Sequence, residues 1–265
     1  MYIQLTDRCN MKCDHCCMDS HPRRKRFMTE HVFNACMRFA TDYNQTLTLG
    51  GGEPTLHPKF FPFLYQAMHA YWNDSLECAP FVVTNGKNRN RAMKLFRLTQ
   101  PDDSGMFIDP VSKERWSDPE YWSYYDKAGV NVDLSTDYYH EPINPDVRNA
   151  YEQAAKRKQR SYGYSMPSSY EAAGIRNGAN THVMGIGRAL KNGIANFKEG
   201  ECCCETLFID PDGTIFSCGC QHTKLGHILE TDLDELMEDY REEFAHAGGF
   251  EYGEEFSHTT ETEET

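Results

Sequence analysis

No stretch of this sequence approaches the roughly 18 consecutive apolar residues that a membrane-spanning helix requires, and its mean hydropathy is −0.69. The N-terminal segment MYIQLTDRCN lacks the apolar core of a secretory signal. Both absences lead us to expect a soluble, cytoplasmic protein with no membrane partner. No self-similarity at a solenoid period occurs, which excludes a repeat array. Positive charge is scarce in one region only. Residues 201–265 hold two Lys+Arg against 18 Asp+Glu, whereas residues 1–200 hold 25 against 22. The net charge of −13 therefore belongs to the C-terminal quarter, which reads most simply as an acidic, solubilising end.

What is abundant is cysteine. Structural disulfides do not persist in a reducing compartment, so 11 cysteines call for metal or chemistry instead. Four fall at Cys9, Cys13, Cys16 and Cys17, five at Cys202, Cys203, Cys204, Cys218 and Cys220, and only Cys36 and Cys78 stand apart. That distribution suggests one metal site toward each end. A chain of 265 residues is long enough for one full-sized catalytic domain with a small appendage.

Short apolar runs at Tyr2–Leu5, Leu47–Leu49, Phe81–Thr84, Val130–Leu134, Tyr162–Met166 and His182–Ile186 read as strands. Glu30–Tyr43 and Phe60–Trp72 carry apolar residues at helical spacing between them. Strand alternating with helix is the pattern of a parallel α/β sheet, here a partial (β/α)6 barrel whose site is expected at the C-terminal ends of the strands. Pro101–Asp126 reads as an insertion. Phe208–Ile209 and Thr214–Phe216 flank an Asp-Pro-Asp-Gly turn and predict a β-hairpin, followed by a helix from about Asp232 to Ala245. The expected division is a barrel over 1–194, a small hairpin and helix domain over 195–245, and a disordered tail over 246–265.

Cys9, Cys13 and Cys16 form a C-x3-C-x2-C run in the loop after the first strand. Three thiolates on so short a loop can hold three irons of a cubane and leave the fourth open to another ligand. A tetrahedral zinc, completed by Cys17 or His15, is the alternative on spacing alone. The second strand is followed by Gly51-Gly52-Glu53-Pro54, whose glycines permit close approach and positive φ.

Cysteine triplet and glycine turn, in this order, resemble the radical S-adenosylmethionine (SAM) superfamily. The resemblance implies a [4Fe–4S] cluster on Cys9, Cys13 and Cys16, with SAM chelating the open iron by its amino and carboxylate groups. The backbone of Gly51, Gly52, Glu53 and Pro54, with the Glu53 side chain, would meet the SAM amino group. Ser135 and Asp137 lie where the family places ribose contacts, Thr84-Asn85-Gly86 closes the third strand as it often does there, and Arg188 is placed to reach the SAM carboxylate. An electron from a flavodoxin- or ferredoxin-like donor would split SAM into methionine and a 5′-deoxyadenosyl radical, which takes hydrogen from a substrate. From Cys203 the spacing C-x9-G-x4-C resembles the opening of twitch and SPASM domains. By that resemblance Cys218, Cys220 and two of Cys202, Cys203 and Cys204 hold an auxiliary [4Fe–4S] cluster; a structural zinc is the alternative. Twitch and SPASM members act on bulky substrates, so a peptide or protein is one expectation. A nucleotide or nucleic acid is another, because Arg23, Arg24, Lys25, Arg26, Lys87, Arg89 and Arg91 follow the first and third strands near the barrel mouth, and a small metabolite is the third. A non-catalytic zinc or iron–sulfur carrier protein is the competing class, against which the intact glycine turn argues.

Overall fold

The structure is a computed structural model, and it describes residues 1–104, 106–116, 128–136, 139–162, 173–176, 187–194, 206–219, 221 and 223–244. In chain order the elements are β1 Tyr2–Gln4, α1 Glu30–Asp42, β2 Thr48–Gly50, a 3-10 turn Pro54–Leu56, α2 Phe60–Trp72, β3 Phe81–Thr84 and α3 Arg89–Leu98. They continue with β4 Phe107–Ile108, β5 Arg115–Trp116, β6 Asn131–Ser135, α4 Pro145–Tyr162, β7 Ala173–Arg176 and α5 Gly187–Lys191. Last come β8 Phe208–Ile209, β9 Thr214–Phe216, β10 Lys224–His227 and α6 Leu233–Phe244.

One sheet runs in the order β10-β9-β8-β1-β2-β3-β6-β7. From β8 to β7 every neighbour is parallel, and parallel neighbours need crossovers long enough to hold a helix. Strand alternation sorts the side chains. Ile3, Leu49, Val82, Val132 and Leu134 face the helices and share one core with Phe33, Phe39, Phe63 and Leu64. Their registers leave Tyr2, Thr48, Phe81, Val83 and Ser135 on the opposite, half-exposed face. This is the fold of a partial α/β barrel, with Asn131 and Asp133 of β6 buried on the face away from the helices. Helix α1 starts where the Thr29 hydroxyl accepts from the Val32 amide at 3.3 Å, and Phe33 stacks on Phe63 of α2 at 4.1 Å.

The C-terminal hairpin extends this sheet, because β8 pairs in parallel with β1. Its turn is organised by Asp210, whose carboxylate accepts from the amides of Asp212 at 3.0 Å and Thr214 at 2.9 Å. Gly213 takes φ +96° there. Helix α6 adds Leu236, Met237 and Tyr240 to Ile209, Ile215 and Ile228 in the same core. An ion-pair group locks the hairpin to the barrel: Arg26 reaches Asp7 at 2.9 Å, Asp210 at 3.2 Å and Asp212 at 2.7 Å.

The fifth strand lies elsewhere than the sequence suggested. Helix α4 continues to Tyr162, and the strand forms at Ala173–Arg176. The run Glu152–Arg160 is rich in Ala, Lys, Gln and Arg, all strong helix formers, and it carries the helix into the aromatic segment that read as a strand. The rest of Tyr162–Met166 and the expected strand His182–Ile186 lie outside the described residues, as does the tail 246–265. In the insertion, β4 and β5 pair antiparallel around Asp109, which accepts from the Val111 amide at 2.7 Å and the Ser112 hydroxyl at 2.8 Å. Asp109 also pairs with His69 of α2 at 2.7 Å.

Candidate functional site

After β1 the chain makes a closed excursion. Bridges at Thr6↔Phe27 and Arg8↔His21 bring its two ends together, and within it lie Cys9, buried, and Cys13 and Cys16, half-buried. The backbone turns through Cys16 N to Cys13 O at 3.2 Å and Asp19 N to Cys16 O at 3.3 Å. Amide donors are aimed at two of the sulfurs. Cys9 Sγ accepts from the Met11 amide and from Asn85 Nδ2, each at 3.4 Å, and Cys16 Sγ accepts from the Ser20 amide at 3.4 Å. Burial pushes the Cys9 thiol up to about 12, and a metal bound there would take the thiolate and release the proton. Among the described residues no three His, Cys, Asp or Glu side chains converge on a single metal ion. Three thiols on one short loop, closed at both ends by the bridges, are the donor set that a cubane cluster with one open iron would use.

The turn after β2 docks directly on this loop. Gly52 N donates to Thr6 O at 2.7 Å and Glu53 N to Arg8 O at 2.9 Å. A Cβ on Gly51 would lie 2.4 Å from Thr6 O, and one on Gly52 2.4 Å from Arg8 O, so the contact exists only because both are glycine. The Glu53 carboxylate is buried and turned inward. It accepts from the Thr55 amide at 3.2 Å, the Thr55 hydroxyl at 2.5 Å, the Thr84 hydroxyl at 2.8 Å and the Asn85 amide at 2.8 Å. Burial pushes its pKa up against the pull of those hydrogen bonds. Glu53 thus ties the β2 turn to the end of β3, and Pro54 opens the 3-10 turn beside it.

Arg188 does not hold its guanidinium open for a ligand carboxylate. It is buried, and it donates to Cys13 O at 2.7 Å and Ser20 O at 2.8 Å while pairing with Asp19 at 3.3 Å. Its backbone amide donates to Cys16 O at 3.0 Å. Lys191 reaches Asp19 at 2.9 Å, and Asn192 Nδ2 donates to Asp14 O at 3.1 Å. Gly187, at φ +58°, leaves room that a Cβ would fill 2.1 Å from Cys17 O. Helix α5 is thus a clamp on the cysteine loop, a role that nothing local in Gly187-Arg188-Ala189 announces.

Ser135 ends β6 half-buried, its hydroxyl 3.5 Å from His140 Nε2. The His140 and Tyr139 rings lie 4.9 Å and 5.0 Å from that of His15, between Cys13 and Cys16. Asp137, Cys202, Cys203, Cys204 and Cys220 lie outside the described residues. Cys218 is buried at the end of the hairpin, and Gln221 Nε2 beside it approaches Met18 Sδ of the cysteine loop at 3.8 Å.

Five of the seven basic groups after the first and third strands have hydrogen-bond or ion-pair partners. Arg24 pairs with Asp19 and Arg89 with Asp146, at 3.3 and 3.1 Å. Lys87 pairs with Glu141, Arg26 with the three aspartates above, and Arg91 donates to the carbonyls of Thr55 and His57. Among the described residues, Arg23 and Lys25 alone of the seven have no such partner and face solvent.

Comparison with known proteins gives this geometry a family. Molybdenum cofactor biosynthesis protein 1 of Drosophila melanogaster is 22% identical over 144 residues, which are 53% of this chain. The chain spans only 25% of that protein's length. The crystal structure of BtrN in complex with AdoMet and 2-DOIA superposes with a TM-score of 0.56 at 13% identity, over 94% of this chain and 85% of that one, and so shares the fold. Native anSMEcpe with bound AdoMet and Cp18Cys peptide gives 0.48 at 15% identity, over 92% and 81%. The family model of the radical SAM superfamily matches residues 3–160, from β1 through the cysteine loop and the Gly51–Pro54 turn into α4. Because that match spans more than half of the sequence, the chain belongs to the radical SAM superfamily, whose members are enzymes.

Proposed function

We propose that the chain splits SAM reductively at a [4Fe–4S] cluster held by Cys9, Cys13 and Cys16, and that the radical so made takes a hydrogen atom from a peptide or protein. The observation that carries this reading is the direct docking of the Gly51–Pro54 turn on the cysteine loop, through Gly52 N to Thr6 O and Glu53 N to Arg8 O. A ligand chelating an open iron on that loop would lie against the turn's backbone. With the Glu53 carboxylate committed to Thr55, Thr84 and Asn85, the backbone carbonyls of the turn are the acceptors left for an amino group. Ser135 and Asp137 are the residues we assign to the ribose. A cluster held by Cys9, Cys13 and Cys16 would supply the electron for cleavage of the S–C5′ bond, received from a flavodoxin- or ferredoxin-like donor. Arg188 and Gly187 hold the part of the loop that carries Cys13 and Cys16, and the buried setting of Cys9 excludes water from that side of the site.

Cys218, Cys220 and two of Cys202, Cys203 and Cys204 are assigned to an auxiliary cluster in a twitch-like unit over 195–245, after the barrel of 1–194 and before the tail 246–265. The assigned compartment is the cytoplasm. For the substrate class we rely on charge. Four of the seven basic side chains, Arg24, Arg26, Lys87 and Arg89, are already held by carboxylates, which weakens their pull on a polyanion and supports a peptide or protein over a nucleic acid. The test is 5′-deoxyadenosine formation by the reduced protein with peptide, RNA or DNA fractions across a salt series. Stimulation by peptide with little salt dependence is expected. Stimulation by nucleic acid alone, falling steeply with salt, would replace this reading.

A further inference from the structure

We propose that Asn85 is a positioning residue that sets the reduction potential of the cluster, by donating a hydrogen bond from its side-chain amide to the sulfur of Cys9. The inference rests on the reading that Cys9 ligates the cluster. It is carried by contacts on every side of Asn85. The side chain is buried, 7% exposed, and Nδ2 lies 3.4 Å from Cys9 Sγ and 2.9 Å from Asn10 Oδ1. Its Oδ1 accepts from the Lys87 amide at 3.0 Å, which fixes the orientation of the amide group with its N–H bonds toward the sulfur. Its backbone amide donates to Glu53 Oε2 at 2.8 Å. One residue therefore touches both the sulfur of a cluster ligand and the carboxylate that fixes the SAM-binding turn.

A donor on a thiolate withdraws negative charge from the sulfur, and reducing the cluster adds negative charge to it. The bond therefore strengthens on reduction and raises the potential. The low dielectric around a buried sulfur enlarges the effect. The second donor to Cys9, the Met11 amide, belongs to the backbone; Asn85 is the side-chain contribution, the one a substitution can remove.

The experiment is an EPR-monitored redox titration of reconstituted wild type and Asn85→Leu, following the signal that changes when SAM is added. Leu matches Asn in size and lacks the donor. At fixed ambient potential the ratio of reduced to oxidised cluster should fall about tenfold, a shift of about 59 mV to more negative potential for one electron, with iron content and circular dichroism unchanged. Asn85→Asp, which loses the donor and adds negative charge, should shift at least as far. A fully loaded Asn85→Leu whose ratio stays within about twofold of wild type would overturn the proposal. So would loss of the cluster from both variants, which would make Asn85 a scaffold for the loop. A Cys9→Ala control separates the underlying reading: if the SAM-responsive signal persists there, Cys9 is not a ligand and both ideas fall.

Discussion

Replacing Arg188 by Met deletes the guanidinium and keeps the aliphatic stem. Cys13 O and Ser20 O lose their donors, at 2.7 and 2.8 Å, and Asp19 loses a partner at 3.3 Å, all in the loop that carries the three thiols. Hydrogen bonds from charged donors contribute about 1.5–3 kcal/mol each, and a stranded buried carbonyl costs about 1–3 kcal/mol. These overlap, so about 3–4 kcal/mol is a reasonable loss. For a domain of this size that lowers Tm by about 6–16 °C, taking about 2–4 °C per kcal/mol. The damage should concentrate on the loop. Anaerobic reconstitution followed by iron analysis and thermal melting should show a lower Tm and poor loading at the N-terminal site, with Arg188→Lys recovering only part because an ammonium cannot span both carbonyls. If Arg188→Met keeps its Tm and its iron but binds SAM weakly, the guanidinium serves the SAM carboxylate and the clamp is wrong.

Gly52→Ala places a Cβ 2.4 Å from Arg8 O, and overpacking of this kind costs about 1–3 kcal/mol; calorimetry should show SAM affinity lost by at least about tenfold, and unchanged affinity would detach the turn from the site. Burial opposes ionisation of Asp109, but hydrogen bonds from Val111, His69 and Ser112 outweigh it and hold the carboxyl below its usual range. Its stabilisation is therefore present above about pH 4 and disappears as pH falls through the folded value. Asp109→Asn should accordingly be about 1–2 kcal/mol less stable than wild type at pH 7, with the two melting curves converging as acid protonates the folded Asp109; a gap of constant size down to the acid unfolding limit would refute the charge-based account. Wild type should bind about eight irons and a Cys9/Cys13/Cys16 triple Ala variant about four, the content of one cubane. Stoichiometric zinc in the wild type, or no iron in the variant, would remove the auxiliary cluster.

Local pattern carried much of this architecture. β1, β2, β3 and β6 were legible because short apolar runs feed one buried face, and α1 and α2 because their apolar residues recur at helical spacing. The β8–β9 hairpin was legible from Asp210-Pro211-Asp212-Gly213, where the Asp210 carboxylate does what such turns require. Strand β7 was not, since Ala-Gly-Ile-Arg holds a single large apolar residue and takes its structure from pairing with β6. Parallel pairing of β8 with β1 joins residues some two hundred positions apart and leaves no local trace. The same distance hid the site's supports. Arg188 meets Cys13 across 175 residues and Asn85 meets Cys9 across 76. Counting charges near the strand ends located the basic residues but not the carboxylates that neutralise them, because Asp210, Asp212, Glu141 and Asp146 arrive from other parts of the chain.

The most direct test of the central claim is SAM cleavage itself. Anaerobically reconstituted, chemically reduced protein should convert SAM to 5′-deoxyadenosine and methionine, measured by chromatography and mass spectrometry. Single Ala substitutions at Cys9, Cys13 and Cys16 should each abolish both products, while Cys36→Ala, which alters a buried thiol on α1, should not. Cleavage at the wild-type rate by any one of the three variants would contradict the assignment of those cysteines and the account built on them.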